Sequence, residues 1–302
     1  MPAKPRSRSG RLAAALTYGL FRATLAVFSL LPFRRRVAAF GWLMAHGLGR
    51  LAGYRARIMA NLALVHPDMP LADRRALATQ ALDTMGRMVM ENFCPAEFGR
   101  SLEGTPLEGP GLADLAEASA QGRPVLFVSA HFGNHEAPRH LLSQRGHRIG
   151  GIYRPFTNPR FDADYRRTIA SLGGAVFPQG REGTVGFSRY LREGGLGILF
   201  YDVRDPRGED IPFMGRPALT ATSAAKLALK YDAALIPWFG IRKPDGHGFR
   251  CVLEAEIPHT DPTTMTRDLH RRLEARIAET PEQWFWVHRR WKPRKAQARQ
   301  LR

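Results

Sequence analysis

Pro124-Val125-Leu126-Phe127-Val128-Ser129-Ala130-His131-Phe132-Gly133-Asn134-His135-Glu136-Ala137-Pro138 is the stretch whose reading decides the fold. Its first seven residues form an apolar run that reads as a buried strand, and Pro138 with the apolar residues after it predicts a helix starting just beyond. Gly133 permits a tight turn between the two and Asn134 favours one. His131 therefore sits at the mouth of a strand-to-helix turn, where α/β enzymes place reacting side chains. His131 and Glu136 are five residues apart and can meet across such a turn. A carboxylate in that position fixes the imidazole tautomer and stabilises the imidazolium as it forms. No serine or cysteine lies within the motif after Ala130, so the reacting hydroxyl is expected to belong to the substrate. Ser129, two residues before His131 on the strand, shares its face and leaves a covalent route open.

A metal reading competes with this one. His131 and His135 are four apart, and His135-Glu136-Ala137-Pro138-Arg139-His140 approaches the pattern of a zinc-protease helix. The spacing is off by one, and Pro138 breaks the helix between the two ligands. No metal site is expected.

Working outward, the same alternation repeats. Helical periodicity covers about 71–93, with Leu71, Leu77, Leu82, Met85, Met88 and Val89 as apolar positions. A Gly/Pro-bearing link with a short Ala-rich helix occupies 101–123. Strands are expected at 124–130, 149–153, 175–178, 196–201, 234–240 and 250–256. Helices are expected near 137–145, 159–172, 183–193, 218–231 and 263–279, and a loop over 202–217. This order predicts an α/β fold with a largely parallel central sheet flanked by helices. Met265, Leu269, Leu273 and Ile277 form one stripe of the last helix, a core-packing pattern. Pro237 inside a strand suggests an edge position or a close approach.

The 302 residues carry 45 Lys+Arg against 27 Asp+Glu, a formal net charge of +18. Such a chain suits anionic partners: nucleic acid, anionic lipid or an acidic carrier protein. Cys94 and Cys251 are too few for a disulfide framework. At the amino end, Lys4, Arg6, Arg8 and Arg11 precede an apolar segment from Leu12 to Phe33 interrupted only by Arg22, and Arg34-Arg35-Arg36 follows. That length just spans a bilayer, but a central arginine costs ~2.5–3.5 kcal/mol on insertion scales. A membrane-associating helix embedded in or lying along the inner leaflet is expected, with a buried helix pair as the alternative. The expected division is a helical anchor region over 1–53, one catalytic domain over 54–294 and a basic tail over 295–302.

Other chemistry-bearing residues gather at the carboxyl ends of the expected strands. Arg154 follows strand 149–153 and precedes Pro155, Asn158 and Pro159. Asp202 ends strand 196–201, and Arg216 stands beside Gly215. Arg154 and Arg216 are candidate anion or oxyanion ligands, and all four lie on the rim that carries His131. Pro281-Glu282-Gln283-Trp284-Phe285-Trp286-Val287-His288-Arg289-Arg290-Trp291-Lys292 interleaves tryptophans with cations. That pattern fits a membrane-interface belt, a nucleic-acid stacking surface or a segment packed on the core.

Taken together, these residues resemble the bacterial lipid A late acyltransferases of the lysophospholipid acyltransferase superfamily. The superfamily's His-x4-Asp/Glu motif is met by His131 and Glu136. The Tyr-Arg-Pro…Asn-Pro block is met at Tyr153, Arg154, Pro155, Asn158 and Pro159. The Pro-Phe-x-Gly-Arg-Pro-Ala block is met at Pro212, Phe213, Gly215, Arg216, Pro217 and Ala218, and the aromatic ending at Pro281 to Lys292. Arg57, Asn61-Leu62 and His66-Pro67 resemble the family's amino-terminal region. Val203 stands where the family has glutamine after Asp202, so no polar role carries over to that position. The resemblance implies an enzyme at the cytoplasmic face of the inner membrane that moves a fatty acyl group from acyl carrier protein to a hydroxyl of a lipid A precursor. It implies His131 as base with Glu136 orienting it, substrate or oxyanion contacts from Arg154, Asn158, Asp202 and Arg216, and no further cofactor. Acylation of a lysophospholipid or aminolipid is the rival within the same class. A non-catalytic basic protein binding membrane or nucleic acid is the rival outside it, and nucleic acid is not the expected partner.

Overall fold

The computed structural model describes residues 8–293; Lys4, Arg6 and the basic tail 295–302 lie outside the described residues. Helices α1 (Arg8–Ser29), α2 (Phe33–Leu43), α3 (Gly49–Leu51), α4 (Tyr54–Val65), α5 (Leu71–Asn92) and α6 (Pro95–Ser101) come first. Strand β1 (Leu107–Glu108) and helix α7 (Gly111–Ala120) lead into the alternating part: β2 (Val125–Ser129), α8 (Glu136–Gln144), β3 (Ile149–Tyr153), α9 (Pro159–Ala170), β4 (Val176–Pro178), α10 (Arg181–Arg192) and β5 (Leu196–Phe200). A hairpin of β6 (Arg204–Phe213) and β7 (Arg216–Thr220) intervenes before α11 (Ser223–Tyr231), β8 (Ala234–Arg242), β9 (Phe249–Leu253) and α12 (Pro262–Glu279).

Seven strands form one sheet in the order β1-β9-β8-β2-β5-β3-β4, parallel except where β8 meets β9. This is the expected α/β fold. All five residues of β2 are buried, because the strand lies at the centre and both its faces are covered. Leu126 and Val128 enter one core, with Phe239, Leu269, Leu273 and Ile277. Val125 and Phe127 enter the other, with Leu141, Ile236 and Trp238. The stripe of α12 is core packing, as its spacing predicts.

Two expectations give way. The segment expected as loop and helix start holds the β6–β7 hairpin. Met214 and Gly215 both have positive φ, the mirror-image turn that matches strand twist. Methionine is a poor signal for such a turn, and β6 alternates weakly because much of it is exposed. Pro237 does not mark an edge, since β8 is interior, between β9 and β2. Pro237 is instead the last residue of β8 paired with β2, opposite Val128, and a missing N–H is tolerated where a ladder ends.

The early helices are built into the same body. Val37, Phe40 and Met44 pack with Met90 of α5. Arg36, read as part of a free basic cluster, is buried: its guanidinium donates to the carbonyls of Phe28, Ser29 and Leu31 at the end of α1 and pairs with Glu97 at 2.6 Å. It closes the orphan carbonyls of α1 and complements that helix's negative end.

Candidate functional site

The register of two neighbouring strands builds the site. Ser129, the last residue of β2, pairs with Phe200, the last of β5. Two residues further along each chain stand His131 and Asp202, which the parallel register therefore brings side by side at the carboxyl rim. The Nδ1 of His131 lies 2.8 Å from Asp202 Oδ1, and the His131 backbone N–H donates to Oδ2 at 2.9 Å. Trp284 Nε1–H donates to the same Oδ2 at 3.1 Å. The Asp202 carboxylate is almost wholly buried, with three donors converging on it. Burial opposes its charge, but the His131 ring beside it and these donors overcome that and bring its pKa down to about 2. Burial likewise opposes protonation of His131, and Asp202, by charge and hydrogen bond, reverses the effect and raises its pKa. Asp202 is thus the residue that fixes the His131 tautomer, with the proton on Nδ1 and the lone pair on Nε2.

Glu136 has other partners. Its carboxylate meets Arg139 at 3.4 Å and His135 Nε2 at 3.8 Å, at the start of α8. Burial works against its ionisation, yet Arg139, His135 and His140 keep its pKa below the ordinary carboxylate value. Among the described residues Glu136 makes no hydrogen bond or ion pair with His131. The structure thus sets Asp202, and not Glu136, against His131 Nδ1. The turn at Gly133 points the helix start, and with it Glu136, toward α8's own Arg139, while the sheet supplies a nearer carboxylate. His135 is half-buried beside Glu136, and desolvation lowers its pKa to about 4, so it stays neutral.

The turn itself is pinned from three sides. Gly133 has φ 55, and a Cβ there would stand 2.1 Å from the Gly240 carbonyl. Its N–H donates to the Gln283 carbonyl, and the Asn134 N–H donates to the Gly240 carbonyl, each at 2.8 Å. The Asn134 side chain accepts from the Glu136 N–H and donates to Glu91 on α5. Glu91 forms a two-pronged, buried pair with Arg242 at 2.7 and 2.6 Å. Arg242 in turn exchanges backbone N–H and C=O with the side-chain amide of Gln283. Removing one member of such a pair strands a buried charge, which typically costs about 3–5 kcal/mol. Arg242→Met is accordingly expected to lower the unfolding free energy by about that amount. Urea denaturation checks this, and an unchanged midpoint would refute it.

The aromatic ending explains itself here. Gln283 holds Gly133, Trp284 holds Asp202, and the Phe285 N–H donates to the His131 carbonyl at 2.9 Å. Trp284 and Trp286 are buried, and Arg290, fully buried, donates to Leu219 O and Thr220 Oγ1 while lying over the Phe213 ring. Of the three readings, the segment packed on the core is the one observed. Asn61 of α4 ties it down by donating to the carbonyls of Trp286 and His288.

The remaining candidates are dispersed. Arg154 and Arg216 are exposed, and among the described residues their side chains form no hydrogen bond or ion pair. Asn158 caps α9 through the Arg160 N–H and donates to the Ala14 carbonyl of α1, a structural role. Ser129 is buried and its hydroxyl donates to the Trp238 carbonyl, away from the His131 ring's contact with Asp202. Among the described residues no cluster of three or more His, Cys, Asp or Glu is placed to hold a metal ion. Beside His131, between α5 and the aromatic ending, lies a small recess of about 20 Å³, lined by Ala81, Met85, Met88 and Phe285 together with Thr84 and Glu282. Phe200 and Phe285 flank the His131 ring at 4.8 and 5.6 Å between centroids. A base held by a carboxylate and flanked by aromatic rings can deprotonate a hydroxyl brought to its free nitrogen.

The family model of bacterial lipid A biosynthesis acyltransferases matches residues 4–293. The chain belongs to that family. It is an acyltransferase of lipid A biosynthesis. It is 29% identical over 260 residues to a lipid A biosynthesis lauroyltransferase of Escherichia coli K12, covering 82% of this chain and 84% of the relative. A lipid A biosynthesis acyltransferase of Haemophilus influenzae Rd is 26% identical over 274 residues, 87% of this chain and 85% of the relative. A lipid A biosynthesis myristoyltransferase of E. coli K12 is 24% identical over 260 residues, 82% and 80%. Three of the sequence blocks meet at one site in this acyltransferase: His131 is on the first, the hairpin packs Phe213 against Trp284 at 5.3 Å, and the aromatic ending braces both His131 and Asp202.

Proposed function

We propose that this acyltransferase moves a fatty acyl group from acyl carrier protein to a hydroxyl of a lipid A precursor, forming an acyloxyacyl ester at the cytoplasmic face of the inner membrane. The observation that supports it is His131, held through Nδ1 by Asp202 at the carboxyl rim of the sheet. In this mechanism His131 Nε2 takes the proton of the acceptor hydroxyl as its oxygen attacks the thioester carbonyl. The imidazolium rests on Asp202. The tetrahedral intermediate then collapses, the carbon–sulfur bond breaks, and His131 returns the proton to the departing carrier thiolate. Ester and thiol leave, and the base is restored with no acyl-enzyme formed.

The charge of +18 supports this reading, because an acidic carrier, a phosphorylated sugar and the inner leaflet are all anionic. Arg154 and Arg216, both exposed, are two of the cations that can meet a phosphorylated headgroup. The test compares a phosphorylated lipid A precursor with a lysophospholipid, each with acyl carrier protein as donor. Turnover of the precursor is expected, and Arg154→Lys should mainly raise its KM. Efficient turnover of the lysophospholipid alone would reassign the acceptor.

A further inference from the structure

Helix α1 is long and apolar enough to cross a bilayer by length and composition over Leu12–Ser29. Its surroundings argue for a different orientation. One face is laid on the protein along four turns. The Ala14 carbonyl accepts from Asn158, and Tyr18 donates to Asp164 of α9 at 2.6 Å. Phe21 packs edge-on against Phe93 at 4.7 Å and against Phe161 at 5.0 Å. Leu25 and Phe28 join the core of α2 and α5. Arg22, the residue that makes a central span expensive, faces Asp164 at 3.5 Å. Asp164 is therefore shared by Tyr18, Arg22 and Arg167, and these charges belong at a water-facing boundary, not in hydrocarbon.

The opposite face is bare and apolar. Leu12, Leu16, Leu20, Val27 and Leu30 are all more than 60% exposed. Exposed Arg34 and Arg35 follow where the chain turns into α2. An apolar stripe on one side, cations at its end and protein on the other side describe a helix lying in an interface. The charge of the chain selects an anionic lipid surface as the occupant. The placement also has a direction. Asn158 follows β3 on the carboxyl rim, so α1 is tied to the same end of the sheet as His131 and Asp202.

We propose that α1 lies in the plane of an anionic lipid leaflet, clamped to α9 through Tyr18, Arg22 and Asp164, and does not cross the bilayer. The catalytic rim then rests beside one leaflet, and lipid reaches it from that leaflet alone. The inference rests on the lipid-acceptor reading only for the nature of the surface.

The test uses the unmodified full chain on phosphatidylethanolamine–phosphatidylglycerol vesicles that contain a phospholipid with a photoactivatable diazirine in its acyl chain. Labelled residues are mapped by mass spectrometry. The expected result is labelling of Leu12, Leu16, Leu20, Val27 and Leu30 several-fold above Tyr18, Phe21 and Leu25. Labelling on all faces of the helix, or none, overturns the proposal. Depth gives a second measurement: nitroxides at Leu12→Cys, Leu20→Cys and Val27→Cys should report one shallow depth. A profile in which position 20 lies at the bilayer centre and the other two near opposite headgroups would overturn it as well. Acyl transfer scored on the same vesicles separates this question from the choice of acceptor, since activity on the precursor can persist under either orientation.

Discussion

His131→Ala is expected to lower acyl transfer by about 10²–10⁴-fold while leaving the fold intact, the range set by loss of a general base. The ring is part-exposed between Phe200 and Phe285, so its removal opens little buried volume. The backbone contacts of His131, to Asp202 through its N–H and to Phe285 through its carbonyl, survive truncation of the side chain. Loss should fall on kcat, with acceptor KM nearly constant, because the proton moves only in the transition state. Steady-state kinetics with a thermal melt of the same sample checks both halves. A well-folded variant with wild-type kcat would remove His131 from the mechanism.

Asp202→Asn should be nearly as damaging, again about 10²–10⁴-fold, and for a separable reason. An asparagine that presents its amide to His131 Nδ1 favours the tautomer with the proton on Nε2, the atom that has to accept one. It also removes the charge that raises the His131 pKa. In the native protein activity should climb with pH through that raised pKa, as the base becomes neutral. In Asp202→Asn the acidic limb should move to lower pH while the plateau falls. Glu136→Gln tests the alternative partner. It should reduce activity through the Arg139 and His135 contacts without moving the limb. A shifted limb in Glu136→Gln and none in Asp202→Asn would return the orienting role to Glu136.

The pair also contributes to stability in two opposite pH windows. The Asp202 contribution is complete above the ordinary carboxylate range and is lost as pH falls toward about 2. The His131 contribution is complete below the ordinary imidazole pKa and is lost as pH rises through its raised value.

Much of this was legible in the residues. The run 124–130 and its following turn place His131 correctly, because a central parallel strand is apolar throughout and ends where a glycine permits a turn. Its place at a strand end puts Asp202 on the correct rim, where it reads as a substrate contact. Its approach to His131 depends on strand order: β5 enters the sheet between β2 and β3, and nothing in local periodicity records which strand becomes a neighbour. One clue was present, since both strands end two residues before their polar side chain. Glu136 looked nearer because five residues of chain suggest proximity, yet the turn directs it to Arg139. The hairpin was missed because an exposed two-stranded ribbon lacks the apolar alternation that marks a strand. Glu91 was missed because a charge inside a helical stripe reads as solvated. Its burial appears only when Arg242 arrives from a strand some 150 residues later in the chain.

The brace from Gln283 to Phe285 has a consequence for the newborn protein. The central strands and the general base are synthesised well before the segment that holds them, since roughly 150 residues separate His131 from Gln283. At typical elongation rates that gap lasts about ten to thirty seconds. The sheet is complete only with β9 at Leu253, thirty residues before Gln283, so the loop stays unbraced and Asp202 lacks the Trp284 donor until the last part of the sheet has also been made. The working geometry is a late event of biogenesis, and a half-made chain is an idle one.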